Sequence, residues 1–71
     1  MLKLSARNQF AGTITEIRKG VTTTHVKIEV APGLVLTASI TNESAEELGL
    51  AVGGRAVAVV KASDVMVGTE D

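Results

Sequence analysis

A chain of 71 residues, 45% hydrophobic and 21% charged, is one small folding unit and too apolar to stay disordered. One Phe and no Trp, Tyr or Cys leave it without bulky rings, disulfides or a thiolate metal site to reinforce a thin core, so self-association is the expected support. Seven Lys+Arg against eight Asp+Glu give a net charge of −1, which offers nucleic acid no basic footprint, and no apolar run approaches the ~20 residues of a membrane span.

In chain order the pattern is β. Leu2, Leu4 and Ala6 alternate with Lys3, Ser5 and Arg7, predicting a first strand with one apolar face. Gly12 to Arg18 reads as a second strand, in which Ile14 and Ile17 stand three apart; a bulge between them would turn both to one side, and Gly12 suggests a bend. After the Arg18-Lys19-Gly20 turn, Val26, Ile28 and Val30 alternate with His25, Lys27 and Glu29 as a third strand. Ala31-Pro32-Gly33 closes a hairpin into Leu34–Thr41, with Leu36, Ala38 and Ile40 inward.

One helix is expected between Thr41 and Gly49. Thr41, Asn42 and Ser44 are all competent caps, Ser44 stands three before Glu47 as in a capping box, and Gly49 suits the exit. Beyond the Gly53-Gly54 turn, Arg55 to Ala62 is a strand of small and β-branched residues. Val65–Val67 ends the fold before a polar tail, 68–71. Five or six short strands with one short helix predict an all-β, OB-like barrel built from residues 1–71 as a single domain.

The chain holds no catalytic constellation. His25 has no nucleophile beside it and falls on the outer face of its strand, where a solvated residue is the simple reading; enzyme activity is not expected. No phosphate loop or dinucleotide fingerprint occurs. Three segments suit an oxyanion better. Ser5 and Arg7 share a strand face, combining a hydroxyl with a guanidinium fork, although a solvated edge-strand arginine would look the same. Lys61 continues the face of Val57 and Val59, where it must reach solvent, a carboxylate or a ligand; Ala62 and Ser63 could add donors. Thr41 and Ser44 stand where a helix begins, a place that serves capping and anion binding alike.

Together these segments resemble the molbindins, the Mop-type TOBE domains that bind molybdate and tungstate. The resemblance rests on Ser5-Ala6-Arg7-Asn8-Gln9 with Gly12, on Ile40-Thr41 with Ser44, on Leu48-Gly49-Leu50 and Gly53, and on Val60-Lys61-Ala62-Ser63 with Val65. It implies a five-stranded OB-like barrel whose chains pair by exchanging the first strand, and a hexamer built as a trimer of dimers. It further implies oxyanion sites between subunits. Ser5, Ala6, Arg7, Lys61, Ala62 and Ser63 would line one such site, with Thr41 and Ser44 from across an interface. A second class of site near the threefold axis would fall at Gly20-Val21-Thr22, where the bulky Thr22-Thr23-Thr24-His25 run departs from the family pattern. The ligand would be molybdate or tungstate, with no organic cofactor and no bare-cation site.

The function this implies is cytoplasmic storage or homeostasis of the oxyanion. A chain of 71 residues from Met1 points to a free-standing protein; the same domain also occurs as a sensory appendage of molybdate transporter ATPases and regulators. A small OB-type nucleic-acid module is the other alternative, disfavoured by the acidic balance and by Phe10 as the sole ring, which reads instead as a core or interface plug.

Overall fold

A computed structural model describes residues 5–70. Its sheet has four antiparallel strands: β1 (Asn8–Lys19), β2 (Thr23–Ala31), β3 (Leu34–Thr41) and β4 (Arg55–Val60), in the spatial order β3-β2-β1-β4. One short helix, α1 (Asn42–Glu47), joins β3 to the loop before β4, and a single 3₁₀ turn covers Ala62–Asp64. The all-β class with one short helix therefore holds.

The period-two alternation in β2 builds the core. Thr24, Val26 and Ile28 turn inward and are buried while Thr23, His25, Lys27 and Glu29 face out. Ile14 from β1 completes the buried set: Ile14, Val26 and Ile28 are 1%, 2% and 5% exposed. The spacing of Ile14 and Ile17 resolves as expected, because the β1–β2 register shifts between Ile14 and Glu16 and the bulge returns Ile17 to the inner side. In β3, Leu36, Ala38 and Ile40 are the half-buried positions, again in phase.

Gly12 is required by proximity. It is buried against β2, and a Cβ built there would stand 2.4 Å from the Glu29 carbonyl oxygen. No side chain fits that gap without moving backbone. At the far end of α1, Leu48 is the C-cap and Gly49 follows at φ +63°, the left-handed exit expected from its position.

The two edge strands, β3 and β4, line one and the same groove of about 420 Å³, whose walls include Leu36, Ala38, Ile40, Leu50, Ala58 and Val60. The sheet is therefore curled, with its edges facing each other across an apolar gap. Both edges keep a row of backbone donors and acceptors that a fifth strand could use.

Several expectations are corrected. The described residues form four strands, and the expected fifth, the first strand, falls largely outside them. Of the expected first strand, Leu2–Leu4 lie outside the described residues, and Ser5–Arg7 are irregular, with bends at Ser5 and Arg7. The strand expected from Gly12 begins four residues earlier, at Asn8, because Asn8 to Thr13 pair with Val60 to Arg55. The last strand stops at Val60, not Ala62, and Val65–Val67 add no strand: they are exposed at 50%, 94% and 90%. Phe10 is not a core plug within the chain; 41% exposed, it sits beside Ala58 toward the end of the β1–β4 ladder.

Candidate functional site

The expected site residues fall into two groups at opposite ends of β1. Arg7 immediately precedes Asn8 and Lys61 immediately follows Val60, and Asn8 and Val60 are directly paired. The two cations therefore leave the sheet at the same end of the β1–β4 ladder. Asn8 locks that end by donating from Nδ2 to the Val60 carbonyl at 3.1 Å, and Gln9 Nε2 reaches the Ala6 carbonyl at 3.4 Å. These two amides brace the segment that carries Ser5, Ala6 and Arg7.

Lys61 follows directly on the last residue of β4. Its backbone stays extended (φ −65°, ψ 138°) and then turns into Ala62–Asp64, with the Asp64 N–H donating to the Lys61 carbonyl at 2.9 Å. The strand ends one residue before it because the chain leaves its hydrogen-bonding partner there. Ser5, Arg7, Lys61, Ala62 and Ser63 are exposed and Ala6 is half-buried. Among the described residues, neither Arg7 nor Lys61 enters an ion pair; the ion pairs there are Arg18–Glu16 at 3.6 Å and Lys19–Glu46 at 3.8 Å, both on open surface. Arg55 is committed elsewhere, donating from Nη1 to Thr13 Oγ1 at 2.9 Å.

The second group is at the start of α1. Thr41, not Ser44, is the N-cap: its extended backbone (φ −68°, ψ 152°) lets Oγ1 accept from the Ser44 N–H at 3.1 Å. The Thr41 hydroxyl donates to Ser44 Oγ at 2.9 Å, so the two hydroxyls form one exposed pair. With six residues the helix is short, and the hydroxyls rather than its dipole are the useful groups.

The two groups flank opposite ends of β1. Thr41 pairs with Thr23, beside the end of β1 that carries Lys19, whereas Arg7 and Lys61 stand at the Asn8 end.

The Gly20-Val21-Thr22 turn is exposed, with Val21 at 98%, and it is tied down from one side by Asn42. His25 is exposed between Arg18 and Ser39 on the outer face and joins no catalytic group. Sequence reading missed Thr24 and treated Asn42 only as a possible cap. Thr24 is buried at 2% and donates to Asn42 Oδ1 at 2.6 Å. The signal was present in the inward phase of Thr24 with Val26 and Ile28. Among the described residues, no helix is long and apolar enough to cross a membrane.

Comparison with known proteins fits this geometry. The chain is 44% identical over 66 residues to molybdenum-pterin-binding protein 2 of Clostridium pasteurianum, covering 93% of this chain and 97% of that one. Among solved structures it is similar to a molybdate-binding protein from Sporomusa ovata, at TM-score 0.89 and 34% identity, covering 96% of this chain and 100% of that one. It is also similar to the cytoplasmic molybdate-binding protein ModG, solved with molybdate bound, at TM-score 0.92 and 39% identity; there the match covers 97% of this chain and 49% of ModG. The TOBE domain family model matches residues 4–67, and the chain belongs to the TOBE domain family.

Proposed function

We propose that this protein binds molybdate or tungstate at sites shared between copies of the chain, and serves as a cytoplasmic store or buffer of the oxyanion. The observation that carries this reading is the division of the candidate groups. The cations Arg7 and Lys61 flank the paired Asn8 and Val60 at one end of β1, and the Thr41–Ser44 hydroxyls stand beside its other end. The relatives named above support the choice of ligand.

Molybdate is a dianion, and leaving water must be offset by fixed charge and donors. A cation at ~4 Å contributes about 4 kcal/mol per unit of anion charge at an effective dielectric near 20. Arg7 and Lys61 supply two positive charges, enough to neutralise one ion. The hydroxyls of Ser5, Ser63 and Ser44, that of Thr41 once it turns from Ser44 Oγ, and the backbone N–H groups of Ala6 and Ala62 complete its oxygen shell. Such a site holds the oxyanion through its oxygens and forms no bond to the metal. Its work is binding, not catalysis.

The groove between β3 and β4 supports the assembly. A strand from a second copy, the alternating segment Leu2–Arg7, would cover apolar residues of both edges and carry Ser5 and Arg7 with it. Dimers formed this way would associate further into a hexamer. Binding between copies also stabilises a chain whose own buried apolar core is Ile14, Val26 and Ile28, because ligand and partner both favour the folded state by mass action.

Selectivity follows from size. Sulfate carries the same charge on a smaller tetrahedron, and each donor left stretched or unpaired costs roughly 1–3 kcal/mol. Molybdate and tungstate are near-isosteres and are not separated this way. Thermal unfolding at equal ionic strength tests the reading. Molybdate or tungstate at a hundred times its dissociation constant adds about 2.7 kcal/mol, which raises the midpoint by on the order of 10 °C, while sulfate leaves it unchanged. Equal shifts from all three anions would refute it.

A further inference from the structure

Thr24 is the one polar residue fully buried among the described residues, and it lies in the inward phase of β2, next in line to Val26 and Ile28. A hydroxyl there needs a partner. It finds Asn42 Oδ1 at 2.6 Å, on the first residue of α1, 18 positions away. The amide of the same side chain then donates from Nδ2 to the carbonyls of Gly20 at 3.1 Å and Val21 at 3.2 Å. The Asn42 backbone N–H adds a bond to the Thr22 carbonyl at 3.1 Å. Four hydrogen bonds thus tie the β1–β2 turn and the buried start of β2 to the residue that stands between Thr41 and Ser44.

We propose that Thr24 and Asn42 are positioning residues for oxyanion binding: they fix the Thr41 and Ser44 hydroxyls through a clamp that touches no ligand. This rests on the function proposed above. The chemistry at position 42 is demanding. Its side chain must accept from a hydroxyl and donate to two carbonyls at once, which an amide does and a carboxylate or an apolar group cannot. The clamp is needed because α1 has six residues and no buried side chain, so packing does little to hold it. Without the clamp, Thr41 still caps the helix but the cap is free to drift from the place a second copy must meet.

The test combines amide hydrogen exchange with molybdate binding by equilibrium dialysis on wild type, Thr24→Val, Thr24→Ser and Asn42→Ala. Thr24→Val keeps the shape and removes the hydroxyl; Thr24→Ser keeps the hydroxyl. The clamp predicts that Thr24→Val and Asn42→Ala raise exchange at the residue-42 and Ser44 amides at least tenfold, while Val26 stays within twofold of wild type. Molybdate affinity falls about tenfold in the same two variants, and Thr24→Ser returns both readouts to near wild type. Should Thr24→Val fail to fold, Asn42→Ala carries the same comparison. Exchange that rises equally at Val26, or a Thr24→Ser variant as weak as Thr24→Val, would show a merely structural role and overturn the proposal. If wild type binds and the variants bind equally well, the positioning role alone falls. If wild type takes up no molybdate, the proposed function falls and takes the positioning role with it.

Discussion

Replacing Gly12 by Ala sets two effects of opposite sign against each other. Gly12 does not have a positive φ, so Ala can adopt its backbone, and the loss of unfolded-state freedom alone would stabilise the fold by about 0.4–1 kcal/mol. The added methyl, however, would lie 2.4 Å from the Glu29 carbonyl oxygen, 2.9 Å from the Glu29 carbonyl carbon and 2.9 Å from Ile28 Cγ2. Two of those three atoms are backbone of the neighbouring strand, so relief requires β1 and β2 to separate near the Glu29 bulge. Overpacking of this kind costs typically 1–3 kcal/mol, occasionally more. Packing therefore wins by about 1–2 kcal/mol. For a domain of this size that lowers the unfolding midpoint by roughly 5–15 °C. Scanning calorimetry of Gly12→Ala beside Gly68→Ala, where an added Cβ meets nothing within 4 Å, isolates the clash from the entropy effect. A Gly12→Ala midpoint at or above wild type would refute the close approach of β1 to β2.

Two further outcomes concern the site. Thr41→Val removes the hydroxyl that caps α1 and pairs with Ser44; circular-dichroism melts should show a loss of about 1 kcal/mol, with weaker molybdate uptake, and Thr41→Ser should recover both. Arg7→Ala and Lys61→Ala should each weaken molybdate binding at least a hundredfold by titration calorimetry, yet leave the ligand-free midpoint within about 2 °C, because both side chains are exposed.

The readable parts of this fold were those set by local alternation. Val26 and Ile28, and Leu36, Ala38 and Ile40, carry their facing in a period of two, and the offset between Ile14 and Ile17 announced the bulge that the β1–β2 register contains. What local pattern could not convey was where pairing stops. Lys61 has the phase of Val57 and Val59, yet the pairing that defines the strand ends one residue before it, at Val60. The choice of cap was similarly open. Thr41 and Ser44 are chemically equivalent as caps, and only the extended backbone of Thr41 decides between them. The Thr24–Asn42 bond escaped because it joins positions 18 apart that meet only once β3 has returned beside β2. Ser5 and Arg7 were legible as chemistry and not as geometry: their donors are plain in the sequence, while the structure places both, exposed, on a segment that precedes the sheet.

The most direct measurement is a crystal structure of the protein grown with molybdate, with the ion located by the anomalous scattering of molybdenum. The account predicts a peak between protomers, with Arg7 and Lys61 on one side and the Thr41 and Ser44 hydroxyls of another protomer on the other. A peak away from these residues, or Arg7 and Lys61 facing bulk solvent with no density between chains, would contradict it.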